Sequence, residues 1–172
     1  MTVELADLDD PRVQAVLDRH VTRARAETGR GSAHALDHEG LRAPDITLWA
    51  LWDDDIVIGV GALKRLSADH GEIKSMHTVE ERRRTGAGSA MLLHLIAAAR
   101  EAGMSRLSLE TGSWPYFIPA RALYARFGFV ECGPFGDYLP DPNSVFMTLD
   151  LRGVTVPSRT LASVQRLPGE RA

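Results

Sequence analysis

The chain has 172 residues, 44% of them hydrophobic and 25% charged, the size and make-up of one globular domain and not of a fibre or a disordered tail. Twenty basic residues against 23 acidic give a formal net charge of −3, which disfavours a dedicated nucleic-acid binder. A single cysteine, Cys132, excludes an intrachain disulfide and suits a reducing cytoplasm. No basic-then-apolar leader opens the sequence, and no apolar run reaches the roughly 18 residues of a membrane helix. A cytoplasmic location without a membrane or nucleic-acid partner is therefore expected.

In chain order, Val3-Glu4-Leu5 reads as a short strand. Asp9 or Asp10 then caps a helix with Pro11 in its first turn, and Val13, Val16, Leu17 and Val21 recur at helical spacing. Gly29-Arg30-Gly31-Ser32 is a loop. His34 to Leu41 suggests a second, short helix, stopped by Pro44. Ile46–Trp52 and Ile56–Leu63 read as strands joined by the polar turn Asp53-Asp54-Asp55, a hairpin. Gly71–Val79 is the next strand, followed by a charged, glycine-containing loop over 80–88.

Ser89–Ala102, rich in Ala, Leu and Met, is the clearest helix, with Gly103 as its stop. Arg106–Glu110 returns as a strand, so residues 71–110 fit a right-handed β-α-β crossover. Ala120–Arg126 reads as a helix ended by Gly128, Phe129–Cys132 as a strand, 133–144 as a long loop and Val145–Leu151 as a last strand. Residues 1–151 are thus one mixed α/β domain, and 152–172 a polar tail. Cys132 reads as a small buried hydrophobe. His34 and His38 lack the partners that a metal site needs, so no metal is expected.

The loop Arg83-Arg84-Thr85-Gly86-Ala87-Gly88 joins a strand to a helix. The first amides of a helix are unpaired and carry the positive end of its dipole. Gly86 and Gly88 let an anion approach the backbone, and the arginines add charge. A Walker loop would need Gly-Lys-Ser/Thr, and a dinucleotide fingerprint a third glycine where Met91 stands. A glycine-rich turn beside solvated arginines is the plain alternative.

Arg83-x-x-Gly86-x-Gly88 resembles motif A of the GCN5-related N-acetyltransferase (GNAT) superfamily. Ala120-x-x-Leu123-Tyr124-x-x-x-Gly128-Phe129 resembles its motif B. Leu109-Glu110-Thr111-Gly112, Gly133-Pro134-Phe135-Gly136-Asp137-Tyr138 and Asp141-Pro142-Asn143-Ser144-Val145-Phe146-Met147 are further similar to a bacterial branch often labelled indole-acetic acid acetyltransferase. The resemblance departs at Arg84 and Thr85, where Gly and Lys are frequent, and at Phe117, where many members carry Asn.

The resemblance implies a fold of mostly antiparallel N-terminal strands joined through the β-α-β crossover to C-terminal strands. It implies transfer of an acetyl group from acetyl coenzyme A to an amine by direct attack. Backbone groups of Met76, His77 and Thr78 would pair with the pantetheine arm, and amides of Arg83, Arg84, Thr85, Gly86, Ala87, Gly88 and Ser89 would hold the diphosphate. Chemistry asks for a base to neutralise the amine, with Glu72 first and Glu110 second, directly or through water. It asks for an oxyanion donor near Met76 or His77, which needs a bulge there. Tyr124 would protonate the departing thiolate. Glu110, Trp114, Asp137 and Tyr138 would contact an amine-bearing acceptor. A longer acyl group, a non-catalytic acyl coenzyme A sensor and a homodimer stand as alternatives or additions.

Overall fold

The computed structural model describes residues 1–28 and 36–153. Thr2–Leu5 forms β1 and Pro11–Glu27 α1. Ile46–Asp53, Ile56–Arg65 and His70–Thr78 form β2, β3 and β4. Ala87–Glu101 is α2, Arg106–Gly112 β5, Ile118–Arg126 α3, Val130–Cys132 β6 and Ser144–Asp150 β7. The strands make one sheet in the order β1-β2-β3-β4-β5-β7-β6. Every pairing is antiparallel except that of β4 with β5, which α2 connects. This is the mixed architecture with a central crossover that the sequence suggests.

Local chemistry explains the elements that matter for the site. Asp10, not Asp9, caps α1: its carboxylate accepts from the Arg12 amide at 2.8 Å, one of the donors a helix start leaves unpaired. Val13, Val16 and Leu17 are its buried stripe. In α2 the stripe is Met91, Leu92, Leu95, Ile96 and Ala99. Sealing a leucine in this way is worth roughly 1.5–3 kcal/mol. A Cβ on Gly61 would stand 2.9 Å from the Met91 side chain, so glycine there lets α2 lie close on β3. Both helices pack on β3 and β4 but hardly on each other, so they cover opposite faces. Neighbouring residues agree: the His77 ring meets His20 of α1, and Thr78 lies under Gly88 of α2.

Three expectations are corrected. No α-helix forms among the described residues of 34–41; Leu36–Glu39 is irregular and a 3₁₀ turn spans Gly40–Arg42. His34 lies outside the described residues. The α2 helix begins two residues before Ser89, at Ala87. Cys132 is exposed, because β6 is an edge strand. The apolar last strand, β7, is internal, between β5 and β6, so β1 and β6 are the sheet's edges.

Two features of β4 shape the neighbouring cavity. Val60 pairs with His77, but Ala62 pairs with Lys74. Gly61 therefore faces both Ser75 and Met76, a β-bulge, with Ser75 at φ +50°, a left-handed value that is uncommon outside glycine. On the other side, the parallel ladder with β5 ends at Ile73 opposite Leu109. Beyond that pair the two strands part.

Candidate active site

The fork between β4 and β5 opens into a cavity of about 740 Å³. Lys74 to Thr78 of β4 form one wall, Glu110 to Gly112 of β5 and Tyr124 of α3 the other. Arg83, Arg84, Gly86, Gly88 and Ser89 close one end, and His20 and Arg23 of α1 flank it. One edge of β4 stays paired with β3 at His77 and Thr78, while the edge toward the fork has lost its strand neighbour. Its peptide groups are available to an extended ligand.

The arginine end is built for an anion. Gly86 caps α2 at φ +94°, and a Cβ there would meet nothing within 4 Å. The first helical bond runs from the Ala90 amide to Gly86 O at 2.9 Å, which leaves the amides of Ala87, Gly88 and Ser89 without helical partners. Arg84 takes φ +64°. Arg126, from α3, donates to Ser89 Oγ at 2.7 Å and brings a third guanidinium. Arg83 crosses the cavity mouth to the Tyr116 hydroxyl at 2.8 Å, and Arg82 is held by Asp53 at 2.8 Å. Thr85 donates to Arg82 O at 2.6 Å. The open turn, the bare helix start and these cations fit a diphosphate; the free β4 edge fits an amide-bearing arm.

At the other end, the Tyr124 hydroxyl points to Met76 Sδ at 3.8 Å, and its ring packs on Phe129. Burial, with the nearby Glu110 charge, holds this phenol well above its ordinary pKa, so it stays protonated at neutral pH. The bulge beside it takes Ser75 and Met76 out of the regular β3–β4 ladder. Phe117, the departure from motif B, lies against Gly112; a Cβ on that glycine would overlap its ring.

The carboxylates separate. Glu110 lines the cavity. Glu72, at 3% exposure, does not; its carboxylate accepts from Lys74 Nζ at 3.1 Å and from the Tyr138 hydroxyl at 2.6 Å. Of the other expected acceptor contacts, Tyr138 stands behind Lys74, while Trp114 and Asp137 are exposed and do not line the cavity. Met76, His77 and Thr78 line it.

Lys74, His20, Arg23 and Arg126 are cavity residues that the sequence reading left out. For Lys74 the sequence held no distinct signal, since it is one of several polar residues in β4. For His20 and Arg23 there was none, because only packing brings α1 to β4. Burial depresses the pKa of both His20 and His77 to about 4, so both imidazoles are neutral at pH 7. Among the described residues no helix is long and apolar enough to cross a membrane, and no cluster of histidine, cysteine and carboxylate side chains could hold a metal.

Comparison with known proteins agrees with this geometry. The family model for the acetyltransferase (GNAT) family matches residues 13–129. The N-acetyltransferase YsnE of Bacillus subtilis is 46% identical over 151 residues, which cover 88% of this chain and all of that protein. An IAA acetyltransferase of Azospirillum brasilense is 39% identical over 117 residues, covering 67% of this chain and 75% of the other. The crystal structure of a Klebsiella pneumoniae protein described as an acyl-CoA N-acyltransferase superposes with a TM-score of 0.71 at 26% identity, over 87% of this chain and 97% of that one. A fork beside a bare helix start, both sequence motifs in register around it, and relatives matched along most of their length lead to one conclusion: this chain is a member of the GNAT family, an acyltransferase that takes its acyl group from a coenzyme A thioester.

Proposed function

We propose that the protein transfers an acetyl group from acetyl coenzyme A to an amine by direct attack in a ternary complex. The observation that carries this is the parting of β4 and β5 after Ile73 and Leu109, directly beside the open, amide-rich start of α2. Bound there, the coenzyme would supply an activated thioester. In this reading the amides of Ala87, Gly88 and Ser89 take the diphosphate, with Arg84 and Arg126 beside it. The β4 edge at Met76–Thr78 aligns the arm, and the bulge amides face the developing negative oxygen.

The proton steps balance. Glu110, the carboxylate on the cavity wall, takes the proton of the acceptor's ammonium, directly or through one water, and frees the nitrogen lone pair. The nitrogen adds to the thioester carbonyl; as the tetrahedral adduct collapses the C–S bond breaks, the departing sulfur takes the Tyr124 proton, and the second proton of the attacking nitrogen passes through water to the phenolate and restores it. Glu72 is sealed from the cavity by Lys74 and Tyr138, which favours Glu110 over it as the base. A thiol-release screen of acetyl coenzyme A over a panel of amines tests the reading. Coenzyme binding by calorimetry together with amine-dependent thiol release is the expected result. Binding without release for any amine would leave the acyl coenzyme A sensor in its place.

A further inference from the structure

Lys74 is a cation with an unfinished hydrogen-bond set on the cavity wall. Its side chain is 10% exposed. Two of its three N–H donors go to Glu72 Oε1 at 3.1 Å and to the Tyr138 oxygen at 2.7 Å, and the third has no acceptor among the described residues. Tyr138 in turn donates to Glu72 at 2.6 Å, so the three groups close a ring of hydrogen bonds. Aromatic packing fixes that ring from behind: Tyr138 stacks edge-on with Phe135 at 5.2 Å and against Phe146 at 5.4 Å. Burial and the Glu72 charge keep the Tyr138 phenol protonated, which is the form that can donate.

A lysine paired on two sides this way cannot swing freely. A buried ammonium left with a spare N–H is costly unless a ligand or water takes it. The register also places it: Lys74 and Glu110 each follow the last paired residues, Ile73 and Leu109, on the two arms of the fork, and strand alternation puts them on one face. A ligand seated between them meets a carboxylate on one arm and an N–H donor on the other.

We propose that Lys74 is the acceptor-contacting residue of the β4 wall, donating its remaining N–H to an oxygen that the acceptor carries close to its amine, and that Glu72 and Tyr138 are positioning residues that hold its ammonium there. This rests on the acetyl-transfer reading of the same site. The ligand class is an amine with an adjacent carbonyl or carboxylate oxygen. Formal charges favour the neutral carbonyl: Glu72, Glu110 and Lys74 sum to −1, which suits a cationic amine better than a zwitterion.

The test uses matched compounds on the full chain: phenylalanine, phenylalaninamide and phenethylamine, and the alanine, alaninamide and ethylamine set. Acceptor binding to the coenzyme A-loaded protein is read by calorimetry, and KM and kcat by thiol release. The amide should bind at least about tenfold better than the plain amine, since a site built around a donor rejects the analogue lacking its partner. Lys74→Met should bring that ratio to within about twofold of unity, and Lys74→Arg should restore part of it. Tyr138→Phe and Glu72→Gln should each lower the ratio about threefold through acceptor KM, with the acid limb of the pH–kcat profile retained. Preference for the free acid over the amide would keep the Lys74 contact and reverse the charge argument.

No preference for an oxygen in the native chain, or one that survives Lys74→Met, overturns the proposal while leaving acetyl transfer standing. A collapse of kcat in Glu72→Gln with acceptor KM unchanged overturns the positioning role. Failure of coenzyme A itself to bind removes both readings.

Discussion

In the proposed reading the cavity has a donor arm and an acceptor arm, which offer their ligands different materials. On the donor arm the contacts are mostly main chain: the amides of Ala87, Gly88 and Ser89 at the start of α2, and the vacated edge of β4. Side chains matter there chiefly by being absent, as at Gly86, or by adding diffuse charge. On the acceptor arm the groups offered are side chains drawn from separate strands, Glu110 from β5 and Lys74 from β4, with Glu72 and, from the long β6–β7 connection, Tyr138 holding Lys74 from behind. Main-chain binding tolerates variation in sequence, whereas a side-chain ring depends on every member. The donor arm is thus suited to one constant ligand, and the acceptor arm to discrimination.

The sharpest way to break that division is at the junction of the arms. Tyr124→Phe should lower turnover on the order of 10²-fold, the usual scale for a proton donor, while calorimetry finds coenzyme A affinity within about threefold of the native value. An unchanged rate would remove Tyr124 from its role. Glu110→Gln should cost a similar factor and should also flatten the acid limb of the pH–rate profile.

Next in size is a change aimed only at the donor arm. Gly86→Val puts a branched side chain at φ +94°, which costs about 1–2 kcal/mol of conformational strain, and fills the space before the helix start. Coenzyme A affinity should fall at least about tenfold by calorimetry. Thermal melting should drop by only a few degrees, on the order of 2–4 °C per kcal/mol at this size.

The third prediction uses the wall of α1. Folding depresses the pKa of both His20 and His77 to about 4, against about 6.5 in an unfolded chain. Between those values the unfolded chain binds more protons, so the stabilisation is fully present above pH 6.5 and is lost as pH falls toward 4. Because both rings are partly exposed, roughly 2–4 kcal/mol for the pair is expected. Urea midpoints measured across pH 4–7 check it, and the double variant His20→Phe, His77→Phe should remove most of the slope.

Arg126→Ala is the smallest. It removes one guanidinium beside Ser89 and should weaken coenzyme A binding about two- to fivefold, an effect that shrinks as salt rises. A loss as large as that of Gly86→Val would mean that the donor arm relies on side chains after all.

Legibility in the sequence divides along the same line. The strands from Ile46 to Thr78, the crossover through α2 and the turn at Gly86 are local: alternation, helical spacing and glycine placement are written in neighbouring residues. Tyr124 was legible for the same reason, lying in a motif on a single helix. The misreadings were of long-range origin. The helix expected at 34–41 gave way, over the described residues 36–42, to an irregular segment with one 3₁₀ turn. Cys132 looked apolar enough to bury, but β6 turned out to be the sheet's edge. Glu72 read as a strand-start carboxylate open to a substrate, because nothing near it in the chain announces that Tyr138 will cover it.

By itself, then, the order of residues determined the elements, the glycine turn that leaves helix amides bare, and the presence of a phenol and carboxylates in the right neighbourhood, because hydrogen bonding within a helix or turn is settled over a few residues. Only the tertiary structure decided which carboxylate reaches the cavity, where β4 bulges and leaves β5, and that Lys74 stands on the wall with Glu72 and Tyr138 behind it. Those outcomes depend on burial and on contacts between residues 48 to 66 positions apart in the chain, such as Tyr124 with Met76 and Tyr138 with Glu72, and no local pattern encodes a partner at that distance.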